Sequence, residues 1–172
     1  MCIRDRTNLP IIIYNIPPRA IVDISPETMA RLAELPRIAG VKDATKDLAR
    51  VSQERQLIRK DFSYLSGEDM TALSYNAQGG NGCISVVANV APALFAQMQT
   101  ASLQGNFETA LALHEQLMPL EVAMGLEPSP AGVKYAASLL GLCSAEVRLP
   151  IIQPEPATRA AINDAMLSCG LK

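Results

Sequence analysis

The sequence predicts an α/β protein in which a parallel sheet of about four strands is followed by a helical region. Short apolar runs begin near residues 11, 39, 62 and 82, and each precedes a stretch with helical spacing. This alternation is typical of βαβ units, whose strands pair in parallel. After Gly105 the apolar runs stop and only helical spacing continues.

Composition excludes several classes of protein. The chain has 172 residues, of which 49% are hydrophobic and 19% charged, which favours a packed core over disorder. A net charge of -2 without a cluster of Lys and Arg gives no basic surface for nucleic acid or a membrane. No apolar run approaches the roughly 20 residues of a membrane span. We therefore expect a cytoplasmic protein with neither kind of partner.

Cysteine and histidine usage argues against a metal site. Cys2, Cys83, Cys143 and Cys169 lack the paired spacing of zinc or redox motifs, so free thiols in a reducing compartment are expected. The only histidine, His114, is expected at the edge of the core or in an interface.

The first half of the chain supplies the strands. Residues 1–6 fit no element and lack the apolar core of a signal peptide, so we interpret them as a foreign or artefactual leader. Strands are predicted over 9–14, 38–42, 62–66 and 82–86, and helices over 26–35, 48–58, 70–76 and 92–103.

The second half is predicted to be helical. Phe107, Leu111, His114 and Met118 follow the spacing of one helix face. Further helices are predicted over 131–140 and 156–169, separated by an extended linker at 149–154 and ended by Gly141 and Gly170.

Reactive side chains occur where the predicted strands end. In parallel α/β barrels these ends face a common mouth. Lys42 closes the second strand, and a lysine amine that loses solvent is a nucleophile for carbonyl substrates. The alternative is a lysine whose stem packs while its head reaches water.

The neighbouring strand ends support the reactive interpretation of Lys42. Tyr14 closes the first strand, where its phenol could relay protons, although it could also be an ordinary aromatic at a barrel mouth. Arg19 follows in a proline-stiffened loop and could hold a carboxylate. Ser66 and Ser85 are weaker candidates, because serines at strand ends usually bond to local backbone groups.

Four motifs at these strand ends resemble one known family. They are YNIPPR (14–19), GVKDAT (40–45), LSGED (65–69) and GCISVVAN (82–89). In this order and spacing they resemble the dihydrodipicolinate synthase family, also called 4-hydroxy-tetrahydrodipicolinate synthase, among the class I pyruvate-dependent aldolases. Segments near residues 117–120, 127–128 and 134–136 resemble its C-terminal helical region.

The resemblance implies a lyase that condenses pyruvate with L-aspartate 4-semialdehyde in diaminopimelate and lysine biosynthesis, through a Schiff base and without a bound cofactor. Lys42 matches the Schiff-base lysine, and Tyr14 matches the proton-relaying tyrosine. Arg19 matches the arginine that receives the semialdehyde carboxylate. Ile84 matches a position that lines the pyruvate pocket through its backbone. Gly67 matches a close backbone approach, with an ordinary tight turn as the alternative.

The resemblance also implies a (β/α)₈ TIM barrel, of which this chain offers a partial barrel. Residues 7–104 match strands 5–8, the C-terminal half of the barrel, and residues 105–172 match the C-terminal helical domain. The first four strands, with the paired threonines that bind the pyruvate carboxylate, are expected to be absent. A half barrel leaves edges unpaired, so marginal solubility or dimerisation is expected. The family resemblance suggests a homotetramer at full length.

Two alternatives stay open. One is another pyruvate lyase of this family, such as N-acetylneuraminate lyase or a keto-deoxy-sugar-acid aldolase, which generally lacks an arginine at position 19. The other is a non-catalytic fragment. Lys46 stands where the family usually has glycine, which leaves the local loop geometry open.

Overall fold

The computed structural model describes residues 3–58 and 61–171. Met1 and Cys2, which belong to the predicted leader and the predicted free thiols, lie outside the described residues. The described chain divides into two compact units, one ending at Ile84 and the other beginning at Ser85. The division expected between residues 104 and 105, and the foreign origin of residues 1–6, stay predictions.

The first unit contains the predicted parallel sheet. Its strands are β1 (Ile11–Asn15), β2 (Ile38–Asp43), β3 (Ser63–Ser66) and β4 (Gly82–Cys83). All three neighbouring pairs are parallel, and the order in the sheet follows the order in the chain. The α/β class predicted from the sequence is therefore confirmed.

The last strand is shorter than the predicted range 82–86. Strand β3 ends at Ser66, whose carbonyl accepts the N–H of Ile84 at 2.9 Å. Beyond that bond β3 offers no further pairing register. The chain therefore leaves the sheet at Ile84 and turns into a 3₁₀ helix at Val87–Asn89.

The described residues of the first unit form four α-helices: α1 (Pro17–Ala20), α2 (Pro26–Ala33), α3 (Ala49–Leu57) and α4 (Ala72–Ala77). The hydroxyl of Ser25 accepts the N–H of Thr28 at 3.3 Å, as the predicted N-cap requires. Helix α1 lies where a loop was expected. Its two prolines occupy the first helical positions, where their fixed φ favours a helical turn.

One face of the sheet packs on α2 and α3. The buried residues of this core come from the strands, the helices and the segments that connect them: Met29, Ala33, Ile38, Val41, Val51, Ile58, Phe62, Tyr64 and Tyr75. The opposite face carries partly exposed side chains, including Ile12, Tyr14 and Lys42.

The second unit is helical, with α5 (Pro92–Leu103), α6 (Phe107–Met124), α7 (Ala131–Leu139) and α8 (Pro156–Ser168). Helix α6 packs against α5 and α8. Gly141 and Gly170 have φ of 73° and 70°, the left-handed conformation that ends a helix. No helix among residues 3–58 and 61–171 is long and apolar enough to cross a membrane.

The face that α6 buries differs from the predicted one. Phe107 and Leu111 are 45% and 48% exposed, whereas Leu117 and Leu120 are fully buried. Both sets satisfy helical spacing, so periodicity alone did not select the face that contacts α5 and α8. His114 is half-buried at the border between the two faces, which agrees with a position at the edge of the core.

Substituting Met29 tests the core of the first unit. Met29 is fully buried, so Met29→Ala should lower the free energy of unfolding by about 2–5 kcal/mol. Leu9 is 71% exposed, and Leu9→Ala should change it by less than about 0.5 kcal/mol. Urea unfolding measures both values, and equal effects would contradict the core described above.

Candidate active site

The register of β1 and β2 places Tyr14 directly beside Lys42. Successive side chains of a strand point to opposite faces of the sheet. The next pair in register, Asn15 and Asp43, therefore faces the other way. Both residues of that second pair are buried, whereas Tyr14 is 47% exposed and Lys42 is half-buried.

The amine of Lys42 lies over the ring of Tyr14. Its Nζ is 4.0 Å from the ring centroid, within the range of a favourable cation–π contact. The contact holds the amine at the carboxyl end of the sheet, beside the phenol of Tyr14. An amine and a phenol in this arrangement can act on one small molecule.

Gly67 provides the space that the Lys42 side chain occupies. A Cβ at position 67 would lie 3.0 Å from Cε and 3.1 Å from Cγ of Lys42. The Gly67 N–H also donates to the carbonyl of Asp43 at 2.6 Å, which ties the loop after β3 to β2. Both predicted roles of this glycine, close approach and tight turn, are compatible with this geometry.

The end of β4 contributes backbone and an apolar side chain. Ile84 is 44% exposed, and its N–H is already bonded to Ser66. The hydroxyl of Ser66 bonds to the backbone of Glu68, and that of Ser85 accepts the N–H of Ala88 at 2.9 Å. The two serines thus satisfy local backbone groups, as strand-end serines usually do.

Besides Lys42, Arg19 and Lys46 place positive charge near this end of the sheet. Arg19 lies on α1, just after β1, is exposed, and takes part in no ion pair within residues 3–58 and 61–171. Lys46 has a φ of 68°, a conformation that glycine adopts more readily, and its Nζ lies 3.3 Å from Glu68 Oε2. Lys46 is thus paired with a carboxylate, whereas the Arg19 side chain is exposed to solvent.

A buried ionic cluster behind the site was not predicted. The guanidinium of Arg50, on α3, is 3.0 Å from Asp23 Oδ2, 3.4 Å from Asp43 Oδ2 and 3.7 Å from Glu54 Oε1. Arg50 is only 5% exposed, and Glu54 is completely buried. Three carboxyl groups thus surround one buried cation.

Burial and the neighbouring carboxylates favour the neutral form of Glu54. Burial, and then the carboxylate of Asp43, raise the pKa of Glu54 to about 7, against the opposing effect of Arg50. Glu54 is thus largely protonated in mildly acidic solution, which reduces the negative charge around Arg50.

One sequence signal could have revealed the cluster. Asp43 directly follows Lys42 in a buried strand, so its carboxylate must point away from the site and needs a buried partner. Arg50 and Glu54 are four residues apart on the polar helix that follows, which places both on one helix face.

The described cysteines are free thiols. Cys83, Cys143 and Cys169 form no disulfide. Burial, followed by the nearby Asp69, raises the pKa of Cys83 strongly, and its thiol lies 3.5 Å from Asp69 Oδ1. Burial also lowers the pKa of His114. Within the part of the chain that the structure describes, no group of three His, Cys, Asp or Glu residues could hold a metal ion.

Comparison with known proteins shows which family the chain is similar to. The model of the dihydrodipicolinate synthetase family matches residues 2–168. The chain is 58% identical over 169 residues to the 4-hydroxy-tetrahydrodipicolinate synthase of Roseobacter denitrificans, an alignment that covers 98% of this chain and 58% of the relative.

Solved structures of dihydrodipicolinate synthases also align with the chain. Dihydrodipicolinate synthase from Thermotoga maritima aligns with a TM-score of 0.94 and 35% identity, over 99% of this chain and 59% of that one. The chloride-inhibited dihydrodipicolinate synthase from Acinetobacter baumannii in complex with pyruvate aligns with a TM-score of 0.93 and 32% identity, over 98% and 58%. The chain thus spans somewhat more than half the length of the relatives it matches.

The raised pKa of Glu54 makes stability depend on pH. Its pKa is 4.5 in the unfolded chain and about 7 in the folded one. Between these values the folded chain binds more protons than the unfolded chain, so the free energy of unfolding falls as pH rises. The loss should reach about 3 kcal/mol by neutral pH.

Urea unfolding of the chain and of Glu54→Gln at a series of pH values measures this contribution. The glutamine cannot ionise, so the variant should lack the decrease that Glu54 causes between about pH 4.5 and 7. Parallel pH profiles for the two proteins would show that Glu54 does not titrate in this way.

Proposed function

The chain belongs to the dihydrodipicolinate synthetase family, and from that premise we propose that it carries the Schiff-base site of a 4-hydroxy-tetrahydrodipicolinate synthase. The proposed reaction is the condensation of pyruvate with L-aspartate 4-semialdehyde in diaminopimelate and lysine biosynthesis. The observation that carries this proposal is the position of Lys42 Nζ, 4.0 Å from the ring of Tyr14 at the ends of adjacent parallel strands.

The chemistry begins when the ammonium group of Lys42 gives up one proton to solvent, because only the neutral amine is a nucleophile. Nζ attacks C2 of pyruvate and forms a carbinolamine. Loss of the C2 hydroxyl as water then leaves a carbon–nitrogen double bond. Tyr14 supplies the proton that the departing hydroxyl needs and accepts the proton that the nitrogen releases. Tyr14 ends both transfers in its original protonation state.

Carbon–carbon bond formation follows from the same imine. A proton moves from C3 to the imine nitrogen and gives an enamine. C3 of the enamine attacks the aldehyde carbon of the semialdehyde, and the proton on nitrogen passes to the aldehyde oxygen, which restores the imine. The amino group of the semialdehyde then attacks C2 and displaces Lys42, which closes the ring. One water molecule has left, and the lysine is free again.

Three other residues shape the substrate site in this proposal. Arg19 binds the carboxylate of the semialdehyde, because its exposed guanidinium can form two parallel hydrogen bonds. The backbone at Ile84 lines the pyruvate pocket. Gly67 keeps the space around the Lys42 stem open. The presence of Arg19 favours a semialdehyde over the sugar substrates of related lyases.

We further propose that β1–β4 are strands 5–8 of a (β/α)₈ barrel. The parallel order and the helix between each pair of strands support this assignment. The proposal includes a homotetramer at full length, a cytoplasmic location, and no cofactor other than the covalent bond to pyruvate.

Borohydride reduction in the presence of pyruvate tests the function. We expect a stable pyruvate adduct on Lys42, located by peptide mass spectrometry, and no adduct in Lys42→Arg. Lys134→Arg, a lysine substitution in the second unit, should leave the adduct unchanged. A folded chain without an adduct on Lys42 would contradict the proposal.

The role of Tyr14 can be separated from that of its ring. Tyr14→Phe keeps the ring under Nζ but removes the hydroxyl, so it should slow adduct formation about 100-fold or more. Tyr135→Phe, which removes a hydroxyl bonded to Asn163 in the second unit, should leave the rate unchanged. Equal rates for Tyr14→Phe and the unsubstituted chain would exclude the proton relay.

The space at position 67 is a further test. In Gly67→Ala the new Cβ displaces the Lys42 stem, so adduct formation should slow about tenfold while the fold is retained. Gly125→Ala is the matched control, because its Cβ would lie at an ordinary 3.4 Å from the nearest atom. An unchanged rate in Gly67→Ala would show that this glycine serves the turn alone.

A further inference from the structure

Residues 16–24 connect β1 to α2 and carry Arg19. From Pro18 to Asp23 every residue is exposed, including Ile21 at 86% and Val22 at 69%. Side-chain packing therefore contributes little to the position of this segment, and its geometry must be fixed elsewhere.

The backbone at Ile21 is strained. Its φ is 66°, the left-handed region that β-branched residues rarely adopt. Its N–H donates to the carbonyl of Pro17 at 2.8 Å and closes the turn of α1 that contains Arg19. Such a conformation persists only where the surrounding structure imposes it.

Hydrogen bonds at Asp23 and Ile24 fix the C-terminal end of this segment. Asn15 Nδ2 donates to Asp23 Oδ1 at 2.9 Å, and Arg50 Nη1 donates to Asp23 Oδ2 at 3.0 Å. The N–H of Ile24 donates to Asn15 Oδ1 at 3.3 Å, and Arg50 Nη2 donates to the carbonyl of Ile24. Both carboxylate oxygens of Asp23 and both backbone groups of Ile24 are thus held by two buried side chains.

Those two side chains are also fixed to the site. Asn15 is the residue after Tyr14, and its carbonyl accepts the N–H of Ala44 at 2.9 Å. Arg50 lies 3.4 Å from Asp43, the residue after Lys42. The geometry of the segment that carries Arg19 is therefore set from the same two strand ends that present the amine and the phenol.

We propose that Asp23 and Arg50 form a latch that positions Arg19 for the carboxylate of the second substrate. Neither residue is catalytic, since both act through the segment that they hold. The substrate part of this inference rests on the proposed function, whereas the anchoring of residues 16–24 does not.

Asp23→Asn is the variant of choice. It preserves the shape of the side chain and an acceptor for Asn15, but removes the charge that pairs with Arg50. Arg50 keeps Asp43 and Glu54 as partners, so the change leaves no buried charge without a partner. Replacing Arg50 instead would leave Asp43 and Glu54 together without their cation. Asp61→Asn, at an exposed position of the same unit, is the control.

Hydrogen exchange tests the anchoring directly. In Asp23→Asn the amides of residues 16–24 should exchange at least about tenfold faster than in the unsubstituted chain, while those of β2 and β3 stay unchanged. Asp61→Asn should match the unsubstituted chain throughout. Equal exchange of residues 16–24 in all three proteins would overturn the latch.

Consumption of the borohydride-trappable pyruvate adduct tests the consequence. For Asp23→Asn the half-saturating concentration of L-aspartate 4-semialdehyde should rise about tenfold, while that of pyruvate stays within about twofold. For propanal, an aldehyde without a carboxylate, the half-saturating concentration should be the same for Asp23→Asn and the unsubstituted chain. Asp23→Glu restores a carboxylate and should recover at least about threefold of the loss.

The outcomes separate the two proposals. An equal rise for pyruvate and semialdehyde, or no rise for either, would show that Asp23 does not position Arg19. Absence of any Lys42 adduct in the unsubstituted chain would contradict the proposed function, and hydrogen exchange would still decide whether the latch exists.

Discussion

Alternation of side chains along two parallel strands in register is the constraint on which the site depends. It directs Tyr14 and Lys42 to the open face of the sheet and Asn15 and Asp43 to the covered face. Because the two pairs are consecutive, the reactive groups and the polar groups behind them share the same backbone. A shift of register by one residue would exchange the two faces and remove the amine from the site.

On the covered face, the polar residues that end β1 and β2 need buried partners. Strand β1 ends in buried Asn15 and strand β2 in buried Asp43, and burial of a polar group is costly unless the group has a partner. Arg50, on α3, is the partner of Asp43. The same guanidinium also pairs with Glu54 and with Asp23. Removing one member of such a buried cluster is far more destabilising than its net contribution suggests. The cluster thus joins helix, strands and loop in one unit.

Much of the fold could be predicted from the sequence, because apolar runs and capping residues act locally. The start of α5 at Pro92 and the N-cap of α2 at Ser25 lie at the predicted proline and serine. The short β4 and the buried face of α6 could not be predicted, since both depend on where a neighbouring element ends or packs. Lys42 and Tyr14 were identifiable as strand-end residues.

The cluster behind the site was harder to predict for a different reason. Asp23 and Arg50 are 27 residues apart, and their contact depends on the packing of α3 against the sheet. In the sequence, each of the two residues is indistinguishable from an ordinary charged residue at the surface. The positive φ of Ile21 is equally invisible in the sequence, because isoleucine is a residue that normally avoids it.

The most direct test of the account is a crystal structure of the chain after reduction with borohydride in the presence of pyruvate. The account predicts continuous density from Lys42 Nζ to C2 of the former pyruvate, with the Tyr14 hydroxyl within hydrogen-bonding distance of the adduct. Density on a different amine, or a Tyr14 hydroxyl turned away from the adduct, would contradict it.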